Sequence, residues 1–234
     1  MIRNKKQLSM VTGEYGSGKT LLCNYLPTRF PADKYQFVYL GNPFLPASEI
    51  VYTLVSLLSR KGGSIEKLPL GKAELVQLFV EIIKRNMQIG KHTVILFDEA
   101  HLVEDIKVFE ELRVLLNSID TKLPLTIILL GQTELREKIA LLGQFKSRIT
   151  YHYHIKNLEK NEVGEYIKHR LLVAGHKDGE IFCKFAVEEI YNLTLGLPRL
   201  INNLCDVCLM LGMEKSVDKI HKEIVEDAKQ EVLL

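Results

Sequence analysis

Eight residues near the amino terminus constrain this chain more than any other feature. Gly13-Glu14-Tyr15-Gly16-Ser17-Gly18-Lys19-Thr20 matches the pattern G-x-x-x-x-G-K-[ST]. The apolar run Leu8-Ser9-Met10-Val11-Thr12 before it reads as a buried strand, and a helix is expected from about Lys19 to Leu26, ended by Pro27. In that setting the glycines let the backbone turn its N–H groups toward phosphates, and the helix amino terminus adds positive potential. Lys19 then reaches the β- and γ-phosphates, and the Thr20 hydroxyl ligates Mg²⁺. The expected nucleotide-binding set is Gly13, Glu14, Tyr15, Gly16, Ser17, Gly18, Lys19 and Thr20, with Leu21 following. The alternative is an ordinary glycine-rich turn, against which the flanking strand and helix argue.

The rest of the first 157 residues alternates strands with helices. Strands are expected at residues 36–40, 93–97, 125–130 and near 150–155. Between them, Ile50, Val51, Leu54, Leu57 and Leu58 recur at helical spacing, as do Leu75, Val76, Phe79, Ile82 and Ile83, with Gly90 as a stop. Ile106, Phe109, Leu112, Leu115 and Leu116 mark a further amphipathic helix. The pattern predicts a parallel α/β sheet flanked by helices. From residue 158 to 234 only helical stretches follow, at about 161–174, 184–194, 199–213 and 217–232, which predicts a small all-helical second domain.

The strand at 93–97 ends in Asp98 and Glu99, and two adjacent carboxylates at such a place are costly to bury without a use. Behind a phosphate loop, the first accepts Mg²⁺ through water and the second polarises the attacking water as general base. Gln132, just past the strand at 125–130, faces the γ-phosphate if that strand neighbours the one bearing Glu99; a solvated loop residue is the alternative. Arg148, just before the last strand, is placed to reach a neighbouring subunit's γ-phosphate, and Arg199, opening a helix of the second domain, to reach back to the nucleotide. For each arginine a surface salt bridge is the alternative.

Composition excludes little. Thirty-one basic residues face 29 acidic ones, so charge neither requires nucleic acid nor excludes it. The four cysteines are expected as reduced thiols of a cytoplasmic protein, and Cys205-x-x-Cys208 as helix-core residues lacking the four ligands a zinc site needs. His152 and His154 share one face of a strand and are read as packing residues. No signal peptide opens the chain, and no apolar run approaches a membrane span.

The order of these pieces resembles one family. It runs from the phosphate loop to Asp98-Glu99-Ala100-His101, then Leu130-Gly131-Gln132-Thr133-Glu134-Leu135-Arg136, then Gly196-Leu197-Pro198-Arg199-Leu200-Ile201-Asn202-Asn203-Leu204-Cys205. This resembles the AAA+ ATPases of the general secretion pathway protein A (ExeA-like) type and, more distantly, the transposition ATPases of the TnsC and MuB type. The resemblance covers nearly the whole chain, and Gly196 to Cys205 is its most family-specific piece.

It implies ATP as the nucleotide, a helical lid on the ATPase core, and ATP-dependent assembly into a homo-oligomeric ring or filament with a secretion-machinery partner. It also implies that Gln132 is sensor 1, Arg199 sensor 2, Arg148 the arginine finger, and Asn42 the polar residue restraining the catalytic glutamate. The alternative function is a DNA-binding ATPase that regulates target selection in transposition. The chain departs from the family in three respects. Only twelve residues precede Gly13, where part of the adenine pocket is usual. Thr133 stands where proline is common, and the periplasmic peptidoglycan-binding function of secretion members is not expected within a chain ending at Leu234.

Overall fold

A computed structural model describes residues 1–59, 71–120 and 123–232. They divide into two compact units. The first comprises Met1–Gly13 and the chain from Lys19 to Ile155; the second comprises Glu14–Gly18 and the chain from Lys156 onward.

The first unit is built on five parallel strands: β1 (Leu8–Gly13), β2 (Tyr35–Leu40), β3 (His92–Phe97), β4 (Leu125–Gly131) and β5 (Tyr151–Ile155), in the order β2-β3-β4-β1-β5. β1, β3 and β4 are buried along their whole length, so they read as unbroken apolar runs rather than as alternating ones. Their side chains nevertheless alternate between two cores. Leu8, Met10, Ile95, Phe97, Ile127 and Leu129 face α2 (Ala47–Ser59), α3 (Lys72–Gln88) and α4 (Lys107–Asn117). Val11, Val94, Leu96, Ile128 and Leu130 face the other side, where α1 (Lys19–Tyr25) contributes Leu22 and Cys23. The helix expected to run to Leu26 stops at Tyr25, and Leu26–Arg29 continue as a 3-10 turn with Pro27 at its start, where a missing N–H costs least. Two short helices, α5 (Glu134–Ala140) and α6 (Gly143–Lys146), lead from β4 to β5.

The second unit holds α7 (Lys160–Val173), α8 (Lys184–Thr194), α9 (Pro198–Glu214) and α10 (Lys222–Glu231). Val163, Ile167, Ile190, Ile201, Leu204, Cys208 and Val225 form its core. Cys205 and Cys208 are buried there as free thiols, and burial pushes Cys208 up to about 12. The last helix starts at Lys222 rather than near residue 217. Ile220 is held extended in a short bridge to Phe182, donating to Ile181 O (2.9 Å) and accepting from Cys183 N (3.0 Å).

Candidate active site

The carboxyl ends of β1, β3 and β4 bring Gly13, Asp98, Glu99 and Gln132 to one end of the sheet, the end at which open parallel sheets place their ligands. β4 lies between β1 and β3, and half-buried Gln132 directly follows it. Lys19 is 5% exposed, and its Nζ donates to the Gly13 carbonyl at 2.9 Å. Thr20 Oγ1 donates to Asp98 Oδ2 at 2.9 Å, joining the first helix to the end of β3.

Asp98 is 1% exposed and is held from three sides. Besides Thr20, the Tyr39 phenol donates to Oδ2 (3.1 Å) and the Glu99 N–H donates to Oδ1 (2.9 Å). Burial and the charge of Asp98 push Tyr39 up to about 12, so its hydroxyl stays a donor. Cys23 is pushed up likewise by burial and then by Asp98, and stays a thiol.

Glu99 takes a left-handed backbone (φ 51, ψ 29), a conformation that costs a non-glycine residue of order 1 kcal/mol and recurs at functional sites. Its carboxylate Oε2 lies 3.4 Å from Nδ1 of His101, a close electrostatic approach without hydrogen-bond geometry. Burial lowers the His101 pKa, with the Glu99 charge working against it. The turn carrying His101 is pinned by Lys138, which donates to the carbonyls of His101 (2.6 Å) and Val103 (2.5 Å). Asn42 closes its own turn, its Oδ1 accepting from Phe44 N at 3.0 Å.

In the second unit, Gly16 and Gly18 have φ of +88 and +93, which β-carbon-bearing residues avoid. A Cβ on Gly16 would lie 2.6 Å from Arg199 Cβ, and the Arg199 guanidinium sits 4.2 Å from the Tyr15 ring centroid, a cation–π pair. The run Gly196-Leu197-Pro198 fixes where α9 starts. A Cβ on Gly196 would fall 1.9 Å from Leu158 O, while Leu158 N donates to Gly196 O at 2.9 Å. Pro198 then opens the helix at its first turn.

Arg148 is not brought to the carboxylates of its own unit. Thr150 N donates to Leu8 O (3.0 Å) and Tyr151 pairs with Ser9, which puts Arg148 beyond the amino-terminal end of β1. Gly13 is at the other end of that six-residue strand, roughly 20 Å away. Arg148 Nη2 donates to Asn117 Oδ1 at the end of α4. His152 Nε2 and His154 Nδ1 both meet Thr12 Oγ1, at 2.8 and 3.0 Å.

The residues fit a magnesium–triphosphate ligand. The Thr20 hydroxyl and the Asp98 carboxylate are hard oxygen donors of the type Mg²⁺ takes. In the second unit, Ser17 Oγ is buried and has no hydrogen-bond partner among the described residues. Tyr39 was not singled out from sequence. Its only trace there is an aromatic residue two positions before a glycine at the end of a strand.

A family model described as "AAA domain" matches residues 2–139. General secretion pathway protein A of Aeromonas hydrophila is 33% identical over 219 residues, 90% of this chain and 38% of that protein. The chain thus spans about two fifths of that relative's length. Among solved structures, Cdc6p from Pyrobaculum aerophilum superposes with a TM-score of 0.70 at 15% identity, covering 100% of this chain and 63% of its own. The Aeropyrum pernix ORC2 protein gives 0.67 at 13% (97% and 62%). The Thermotoga maritima RuvB Holliday junction branch migration motor gives 0.63 at 16% (96% and 61%). At these identities the three structures speak for the fold.

Proposed function

This chain belongs to the AAA domain family of ATPases, and from that premise we propose that it binds ATP with Mg²⁺, hydrolyses it, and uses the cycle to drive its own assembly as a cytoplasmic accessory ATPase of a secretion or pilus-type export system. The observation that carries the reading is the hydrogen-bonded corner of Thr20, Asp98 and Glu99 beside Lys19 and Gly13. The similarity to general secretion pathway protein A supports the export setting.

In this reading the glycine loop and Lys19 hold the β- and γ-phosphates, while Thr20 and Asp98 hold Mg²⁺. The metal, when bound, neutralises charge that develops on the phosphate oxygens. Glu99 accepts a proton from the water that attacks the γ-phosphorus as the bond to the β–γ bridging oxygen breaks. Gln132 orients that water. Arg199 reports the presence of the γ-phosphate to the helical unit, its guanidinium leaving or keeping the Tyr15 ring. Arg148 lies at the far end of the strands from the carboxylates of its own subunit, which supports the reading that it serves a neighbour's.

Hydrolysis is then a property of the assembly. Steady-state ATP turnover with Mg²⁺, measured over a range of protein concentrations with and without duplex DNA, tests this. Turnover per subunit should rise with concentration and ignore DNA. Flat turnover in a protein that does assemble contradicts the trans role of Arg148. Stimulation by DNA that fades steeply with salt points instead to the transposition-type regulator. Among the basic residues on which a DNA surface would draw, Lys168 is already paired with Glu180 at 2.9 Å, and Arg148 is bonded to Asn117.

A further inference from the structure

We infer that Tyr39 is a positioning residue for the metal-binding carboxylate, its phenol fixing Asp98 in the orientation that receives Mg²⁺. The inference rests on the reading that Asp98 and Thr20 hold the metal.

An ionised carboxylate that is 1% exposed requires donors. Asp98 has three: the Glu99 N–H on Oδ1, and Thr20 Oγ1 and Tyr39 Oη on Oδ2. Thr20 is itself a metal ligand in this scheme, and the Glu99 N–H belongs to the adjacent peptide. Among the described residues, Tyr39 is the one donor that comes from another strand and has no task toward the nucleotide. Charge-assisted bonds from two directions stop the carboxylate from rotating about its Cβ–Cγ bond.

The strand register puts the phenol there. Tyr39 pairs with Leu96 and Leu40 with Phe97, and Asp98 N continues the ladder by donating to Leu40 O at 3.0 Å. Tyr39 therefore leans across the end of β3. It is 46% exposed, so burial of the ring gives little reason for a tyrosine at this place. The residue two positions on preserves its pose. A Cβ on Gly41 would lie 2.5 Å from Tyr39 Cε1 and 3.0 Å from its Oη. Gly41 has no positive φ that would otherwise require glycine. Any side chain at position 41 would swing the exposed ring, and with it the hydroxyl, off Asp98.

The test is equilibrium binding of a fluorescent ATP analogue to the full chain, titrated with Mg²⁺ and compared with binding in EDTA. Asp98→Asn should raise the Mg²⁺ concentration for half-saturation by about tenfold or more. Tyr39→Phe, which keeps the ring, should raise it by about three- to tenfold, and affinity in EDTA should change by less than about twofold. Gly41→Ala, which keeps the phenol but displaces it, should shift the Mg²⁺ requirement in the same direction. A normal requirement in Tyr39→Phe, beside a shifted one in Asp98→Asn, overturns the inference and leaves the metal assignment standing. Equal weakening with and without Mg²⁺ in Tyr39→Phe also overturns it. If Asp98→Asn leaves the requirement unchanged, the metal assignment falls and the inference with it.

Discussion

The two ends of β3 are both polar, yet they are built on different plans. At the amino end uncharged groups bond mainly to one another, with His92 Nδ1 left without a hydrogen-bond partner among the described residues. Asn86 Nδ2 donates to Gln36 Oε1 (2.5 Å) and to Thr93 Oγ1 (2.9 Å), Gln36 Nε2 donates to Leu58 O (3.1 Å), and His92 Nε2 shares a hydrogen bond with Thr126 Oγ1 (2.9 Å). At the carboxyl end, Lys19, Thr20, Asp98 and Glu99 crowd charge into one corner, with a strained backbone at Glu99. A closed network specifies packing and register. A convergence of charge and strain specifies a ligand. Polarity alone would not tell the two ends apart; the concentration of charge and the backbone strain at Glu99 do.

Substitutions can break or sharpen this contrast. Arg148 lies past the amino ends of the strands, so a purely positional rule assigns it to structure. Arg148→Ala should instead lower turnover of the assembled protein by about 10³-fold while nucleotide binding and melting temperature hold. Mixing it with Glu99→Gln subunits should restore part of the rate, because one chain keeps the base and the other the arginine. Failure of that complementation, measured as turnover across mixing ratios, would break the trans assignment. At the carboxyl end, Lys19→Ala should weaken Mg²⁺–ATP binding by about 100-fold, read by fluorescence titration.

At the amino end the signs reverse. Asn86→Ala should cost about 1–3 kcal/mol in urea unfolding, because Thr93 and Gln36 lose their shared donor. Turnover per folded molecule should stay within about twofold of the wild type. The amino end also carries a pH dependence. Burial, and then Lys5, hold His92 down at about 4 against an ordinary 6.5. Between those values the unfolded chain binds a proton that the folded chain refuses. Stability is therefore intact above pH 6.5 and declines as pH falls toward 4, by on the order of 3 kcal/mol. His92→Gln should flatten that part of the stability–pH profile.

Much of the carboxyl end was legible because its chemistry is local in sequence. Gly13 to Thr20 is contiguous, Asp98 and Glu99 are neighbours, and the apolar runs before them declare buried parallel strands. Gly196-Leu197-Pro198-Arg199 was legible as a family motif, and the physical reason for its glycine, the carbonyl of Leu158, emerges only in three dimensions. What escaped depends on strand register and on long-range contacts. Tyr39 meets Asp98 across 59 positions, and nothing in a periodic pattern fixes that register. The hydrogen bond by which Asn42 closes its own turn is likewise not marked by any periodic pattern. The late start of α10 follows from the pairing of Ile220 with Phe182, 38 positions away, which outweighs helix propensity in between.

The central claim is that the corner at the end of β3 hydrolyses ATP with Glu99 as the base. The most direct test is one Glu99→Gln preparation assayed for both Mg²⁺–ATP affinity and steady-state turnover, at a concentration where the wild type assembles. The account predicts affinity within a few-fold of wild type and turnover reduced by about 10²–10⁴-fold. Turnover that survives the substitution, with affinity unchanged, would contradict it.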